Sequence, residues 1–173
     1  MKKIYEYLGK KPIIGHNVLI QDGAKIIGEV IIEDDVNIWY NAIIRGDLDK
    51  ITLKKGCNVQ ENTTIHNDPS HEVSIGINST IGHNCVIHGA IIGDNTVIGM
   101  GSILLNGAHV GNNCLVGANS LLTGNFTSED GMLIMGSPAK VIRALNEKDL
   151  AYINSNGYHY QELAAHYLDN ENE

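Results

Sequence analysis

The chain of 173 residues suits one domain with at most a terminal appendage; 43% of it is hydrophobic, with a single Phe, a single Trp and 19 Gly. Twenty acidic residues against 12 basic ones leave a formal charge of −8 with no basic cluster, which argues against nucleic acid or an anionic membrane surface as a partner. No run of about 20 apolar residues occurs, so no membrane span is expected, and Met1-Lys2-Lys3-Ile4-Tyr5-Glu6 is charged too early for a signal peptide, which points to the cytoplasm.

A six-residue repeat occupies most of the chain, as in Ile81-Gly82-His83-Asn84-Cys85-Val86, Ile98-Gly99-Met100-Gly101-Ser102-Ile103 and Val110-Gly111-Asn112-Asn113-Cys114-Leu115. An aliphatic residue opens each unit, Gly often follows, and a small residue takes the fifth place. The opening residues group in threes: Ile14, Ile20, Ile26; Ile32, Ile38, Ile44; Leu53, Val59, Ile65; Ile75, Ile81, Ile87; Ile92, Ile98, Leu104; Val110, Val116, Leu122. Such a period predicts a mainly β solenoid of six triangular coils. Each coil would hold three short parallel strands, stacked about 4.8 Å from the next coil.

Cys57, Cys85 and Cys114 all fall at the fifth place, alongside Ala24, Ala42, Thr63, Ser79 and Ser102. An odd number and no CxxC pair weaken a disulfide or metal reading. In this register a cysteine is a small hydrophobe in the core.

The register breaks three times. Three residues are inserted between Ile44 and Leu53, and four between Ile65 and Ile75, where they make the loop Asn67-Asp68-Pro69-Ser70-His71-Glu72. One residue is missing between Ile87 and Ile92. Insertions in solenoids map to corners and often to the working face, and these flank three histidines.

Arg45, His66 and His88 are second-place residues of the third hexapeptide in successive coils, so they should form one column. Two imidazoles one coil apart can share a metal ion, for which Zn–N distances are about 2.0–2.1 Å. His83 is a third-place residue of the second hexapeptide and sits near a different edge. A neighbouring copy could bring it to the pair, so the register predicts a site at a subunit interface, most simply in a cyclic trimer. Arg45 and Asp47 bracket Gly46 at the corner below His66, as a corner or interface ion pair compatible with support of the site. Gln60 either orients a metal-bound water or caps a turn. His16, His71, His109, His159 and His166 are read as surface residues, with His71 set apart by its place on the inserted loop.

The repeat fades after Phe126, and Gly136-Ser137-Pro138-Ala139-Lys140 marks an exit turn. Asn146 can cap a helix with Asp149 as its reciprocal partner. Leu150, Ile153, Tyr160, Leu163 and Tyr167 recur at roughly helical spacing, with Gly157 as a point of weakness. The expected organisation is a solenoid with its exit segment over residues 1–145 and a helix packed on it over 146–173.

The ordered set Asn37-Ile38-Trp39-Tyr40-Asn41-Ala42-Ile43-Ile44-Arg45-Gly46-Asp47, Asn58-Val59-Gln60-Glu61-Asn62, Ile65-His66, Ile81-Gly82-His83, Ile87-His88-Gly89, Ile98-Gly99-Met100-Gly101 and Gly136-Ser137-Pro138-Ala139-Lys140 resembles the gamma-class carbonic anhydrase family. The resemblance implies a left-handed parallel β-helix, a homotrimer and a metal at each interface, held by His66 and His88 of one subunit and His83 of its neighbour. It also implies that Arg45 and Asp47 form the interface ion pair and that Gln60 lies near the metal-bound solvent. The implied activity is reversible hydration of CO2 to bicarbonate by a metal-bound hydroxide, with Zn2+ as the default ion and Fe2+ or Co2+ compatible with three histidines. Lowering of the bound water's pKa has carbonic anhydrase itself as its reference case.

Two departures stand out. Glu61 takes a place where the family pattern usually has Asp, and the short loop 67–72 lacks the extended acidic loop, with its proton-shuttling Glu, of the best-characterised active members. Glu72 and His71 are the residues there that could take that part. Hexapeptide folds also host acyltransferases, which use one histidine as general base. An acyl-CoA thioesterase using the same metal site and a non-catalytic metal-binding trimer are compatible with the same repeat.

Overall fold

The computed structural model describes residues 3–170. Most strands are only two or three residues long, because the chain turns a corner every six residues. At most of these corners the fourth place adopts a left-handed conformation. Asn41, Asn62, Asn84 and Asn119 stand there with φ of 62°, 60°, 56° and 57°, and Gly23 and Gly101 take the same place in other units. Asn tolerates this region because its side chain bonds locally, and Gly because it has no Cβ.

The opening residues stack in three columns. Ile32, Leu53, Ile75, Ile92 and Val110 form the first face. Ile38, Val59, Ile81, Ile98 and Val116 form the second, and Ile44, Ile65, Ile87, Leu104 and Leu122 the third. All fifteen are at most 1% exposed, and burying each such side chain contributes about 1.5–3 kcal/mol. The fifth-place residues fill the space between columns, so Cys57, Cys85 and Cys114 are buried free thiols.

The second face is a sheet of its own, whereas the first and third are joined by Lys25–Ile32 and Ile43–Leu53, which run unbroken around one corner. The three-residue insertion is therefore no loop. Pairing passes from Gly28↔Gly46 to Val30↔Ile51, and the extra residues are absorbed as a bulge.

The ends depart from the six coils read in the sequence. Ile14, expected to open the first coil, is 36% exposed, because it has Ile32 on one side and no coil on the other. Ile4 instead extends the third column by pairing with Ile26. At the far end the repeat does not stop at Phe126: Ile134 stacks on Val116 and is fully buried. The solenoid thus has about seven turns. The exit turn at Gly136 joins Met132–Gly136 to Ala139–Ala144 in an antiparallel pair that covers the last rung.

The helix α1, Glu147–Asn170, begins with a reciprocal cap. The amides of Lys148 and Asp149 donate to Asn146 Oδ1, and the Asn146 amide donates to Asp149 Oδ2 at 2.9 Å. It packs on the second face, where Trp39 meets Tyr160 and Tyr167 edge-on at 5.8 and 5.3 Å. Leu150, expected on the apolar face, is 38% exposed, whereas Ile153 is buried. Gly157 does not interrupt α1. It is buried against the solenoid, where an added Cβ would stand 3.0 Å from the Asn78 carbonyl. Residues 171–173 of the expected terminal segment lie outside the described residues.

Candidate metal centre

The third-face register places Arg45, His66 and His88 on adjacent rungs. His66 Nδ1 and His88 Nε2 face each other at 3.2 Å, with ring centroids 5.1 Å apart. Each ring is held from its far side. His66 Nε2 lies 2.9 Å from Asp47 Oδ1, and Arg45 Nη1 donates to Asp47 Oδ2 at 2.6 Å. Burial opposes ionisation of Asp47, but the hydrogen bonds from Arg45 and His66 outweigh it and hold the carboxyl below the usual carboxylate range. The Arg45–Asp47 pair is an in-chain corner pair in one copy of the protein, and its carboxylate orients His66.

His88 Nδ1 lies 2.8 Å from Asn106 Oδ1, and Asn106 Nδ2 donates to Asp68 Oδ2 at 2.8 Å. The amide orientation follows from chemistry: the NH2 must face a carboxylate, so the carbonyl faces His88. Neutral His66 then carries its proton on Nε2 and neutral His88 on Nδ1. In these neutral forms the two facing nitrogens are both bare lone pairs.

His83 stands apart, on the corner after the second face. Its Nδ1 donates to Glu61 Oε2 at 2.6 Å, leaving Nε2 bare on a side chain that is 43% exposed. Among the described residues, no three His, Cys, Asp or Glu side chains converge within one copy. One chain therefore offers two imidazoles together and a third elsewhere.

Gln60 is buried, and its Nε2 donates to Asn58 Oδ1 at 3.2 Å. It shares with His83 a cavity of about 370 Å³ between the second face and α1, lined also by Val97, Leu115, Met135 and Tyr160. This groups Gln60 with the displaced histidine rather than with the pair. A polar chain continues from Asn58 Nδ2 to Thr80 Oγ1 at 2.7 Å and from Thr80 to Asn156 Oδ1 of α1 at 2.9 Å. On the inserted loop, Glu72 is drawn into an ion pair with Lys50 at 3.1 Å, and His71 is exposed with Nδ1 against the Pro69 carbonyl. His16, His109, His159 and His166 are exposed, as expected. Asn106 and Asp68 were missed from sequence; the signal available was that Asn106 repeats the third-place Asn67 two coils on.

The repeat family described as "Bacterial transferase hexapeptide (six repeats)" matches residues 11–46 and 89–124. A carbonic anhydrase of Geobacillus kaustophilus is 37% identical over 164 residues, covering 95% of this chain and 90% of that one. The chain belongs to the gamma-class carbonic anhydrase-like family. Another member of that family, gamma carbonic anhydrase 1 of Arabidopsis thaliana, is 35% identical over 168 residues, covering 93% of this chain and 61% of its relative. Among solved structures, a Bacillus cereus protein described as a putative acetyltransferase superposes with a TM-score of 0.94 at 34% identity, covering 95% of this chain and 96% of that one. Gamma-class membership and a transferase-like description therefore coexist on one solenoid, and no helix among the described residues is long and apolar enough to cross a membrane.

Proposed function

We propose that this chain is a metal-dependent, carbonic anhydrase-like lyase that hydrates CO2 reversibly at the interfaces of a homotrimer. His66 and His88 of one copy and His83 of the next are its metal ligands. The observation that carries this reading is the pair of bare nitrogens, His66 Nδ1 and His88 Nε2, facing each other at 3.2 Å. Two imidazole nitrogens 2.0–2.1 Å from a tetrahedral ion stand about 3.3–3.4 Å apart, so the donor set and its spacing fit a shared cation.

The trimer is supported by the surface around the three histidines. Val86 and Ile103, neighbours of His88 on the third face, are 37% and 38% exposed, and Met100, one rung from His83, is 57% exposed. Apolar side chains flanking a half-built site are expected where a second copy seats. His83, with Nε2 bare and outward, is the group such a copy would present.

When bound, a divalent ion would supply Lewis acidity to a water at its open position. Zinc is the default, and iron or cobalt also suits three imidazoles. The chain's own residues do the rest. Asp47, Asn106 and Glu61 fix which nitrogen of each ring is bare. Gln60, with its amide pinned by Asn58, orients polar groups in the cavity beside His83. The family relation to named carbonic anhydrases supports CO2 as the substrate.

The size and lining of that cavity favour one second reading. About 370 Å³ walled by Val97, Leu115 and Met135 is far more than CO2 needs and suits an acyl thioester. Protein reconstituted anaerobically with Zn2+, Fe2+ or Co2+ tests both. Stopped-flow CO2 hydration that disappears in His66→Ala is the expected result. Activity only on short acyl thioesters would replace the lyase with the thioesterase, and failure to bind any of the three metals would sink the site.

A further inference from the structure

The geometry points to Asp68 and Asn106 as positioning residues that set the tautomer of His88 and keep its Nε2 bare toward His66. The inserted loop 67–72 exists, on this reading, to deliver Asp68 to that task.

The chain of contacts has one polarity. A carboxylate accepts only, so Asp68 Oδ2 draws the Asn106 NH2 at 2.8 Å and turns the amide carbonyl onto His88 Nδ1, also at 2.8 Å. That carbonyl can only accept, so the His88 proton is held on Nδ1. Without Asp68 the amide is free to flip, and an NH2 against Nδ1 would favour the opposite tautomer and turn a proton toward His66.

The fold provides a slot for this amide. Gly89, next to His88, has φ of 60°, and a Cβ there would stand 2.2 Å from Asn106 Oδ1 and 2.9 Å from His71 Cβ. Only glycine lets the Asn106 carbonyl and the inserted loop close on the same spot. Asp68 itself is fastened by the loop, since the His71 amide donates to its backbone carbonyl at 3.1 Å. The same register place is used the same way below: Asn67 Oδ1 accepts from the Asp49 amide at 3.2 Å and so ties down the first insertion. Groups that hold the far nitrogen of a metal-binding histidine typically change metal affinity by 10–100-fold.

The experiment reads the tautomer first, which makes it independent of the proposed activity. Long-range 1H–15N spectra of the metal-free protein are expected to show His88 protonated on Nδ1 in the parent. Asn106→Ala should lose that state, and the swap Asn106→Asp/Asp68→Asn should recover it, because donor and acceptor are then exchanged between the two positions. Cobalt titration with a competing chelator should fall by roughly 10–100-fold in Asn106→Ala and recover in the swap. This second arm rests on the metal reading. A parent that shows the Nδ1–H tautomer but binds no cobalt would end the metal reading while supporting the positioning role. His88 protonated on Nε2 in the parent, or a tautomer unchanged by Asn106→Ala, would overturn the inference.

Discussion

At the residue scale, the repeat assigns each side chain an environment before any contact is known. The cysteines are the cleanest case. Fifth-place residues point between the aliphatic columns, and Cys57, Cys85 and Cys114 are at most 1% exposed there. Burial pushes the Cys85 thiol up to about 11 and the Cys57 thiol higher still, because a thiolate would lose its hydration. At pH 8 neither carries an appreciable thiolate fraction, and the thiolate is the nucleophile. Ellman's reagent is therefore expected to find no fast-reacting thiol in the native protein and three in guanidinium. Rapid reaction of one thiol in the folded state would show that its coil opens readily. The tautomer-setting groups were harder to read from sequence. Asp47 lies two residues from Arg45 and stood out, but Asn106 acts across a coil boundary, eighteen residues beyond His88. A search confined to the histidine column passes over it, because its place is set by the neighbouring rung rather than by its own chain neighbours.

At the element scale, the column register was legible because a six-residue period leaves one way to stack aliphatic openers. The ends were not legible for the same reason. Ile4 and Ile134 extend the columns with Tyr5 and Met135 at the second place, where Gly often follows the opener, and terminal repeats are commonly atypical in this way. The helix α1 was legible through its cap, and that cap yields a pH prediction. Hydrogen bonds from Arg143 and from the Asn146 amide hold the Asp149 carboxyl below its ordinary value of 3.8. A carboxyl with a lowered folded pKa adds stability that is complete above its unfolded pKa and is lost as pH falls toward the folded one. Docking of α1 should thus be insensitive to this group at neutral pH and weaken below about pH 4. Trp39, the single Trp, lies under Tyr160 and Tyr167 and reports docking by fluorescence. Asp149→Asn should weaken docking at pH 7 and remove this part of the acid dependence. An acid transition identical in parent and variant would show that the cap does not govern docking.

At the scale of the whole molecule, the proposed site divides its ligands between copies, and that division has a countable consequence. His66 and His88 share one face, while His83 leaves from another corner with its Nε2 bare. A trimer of His66→Ala lacks a ligand at every interface, and so does a trimer of His83→Ala. When the two variants are co-assembled at random, an interface is complete if its pair comes from a His83→Ala copy and its third ligand from a His66→Ala copy. That arrangement arises at about a quarter of interfaces in a ring of identical contacts. Mixed trimers should therefore regain about a quarter of the parent's bound metal. His66→Ala mixed with His88→Ala should regain none, since both residues must come from one copy. Metal analysis of refolded mixtures reads both values, and equal recovery in the two mixtures would mean that the ligands are not partitioned in this way. The second mixture matters because it separates shared ligation from mere rescue of folding. Either pairing offers each destabilised copy an intact neighbour, but only one of them can reunite three bare imidazole nitrogens around a single ion.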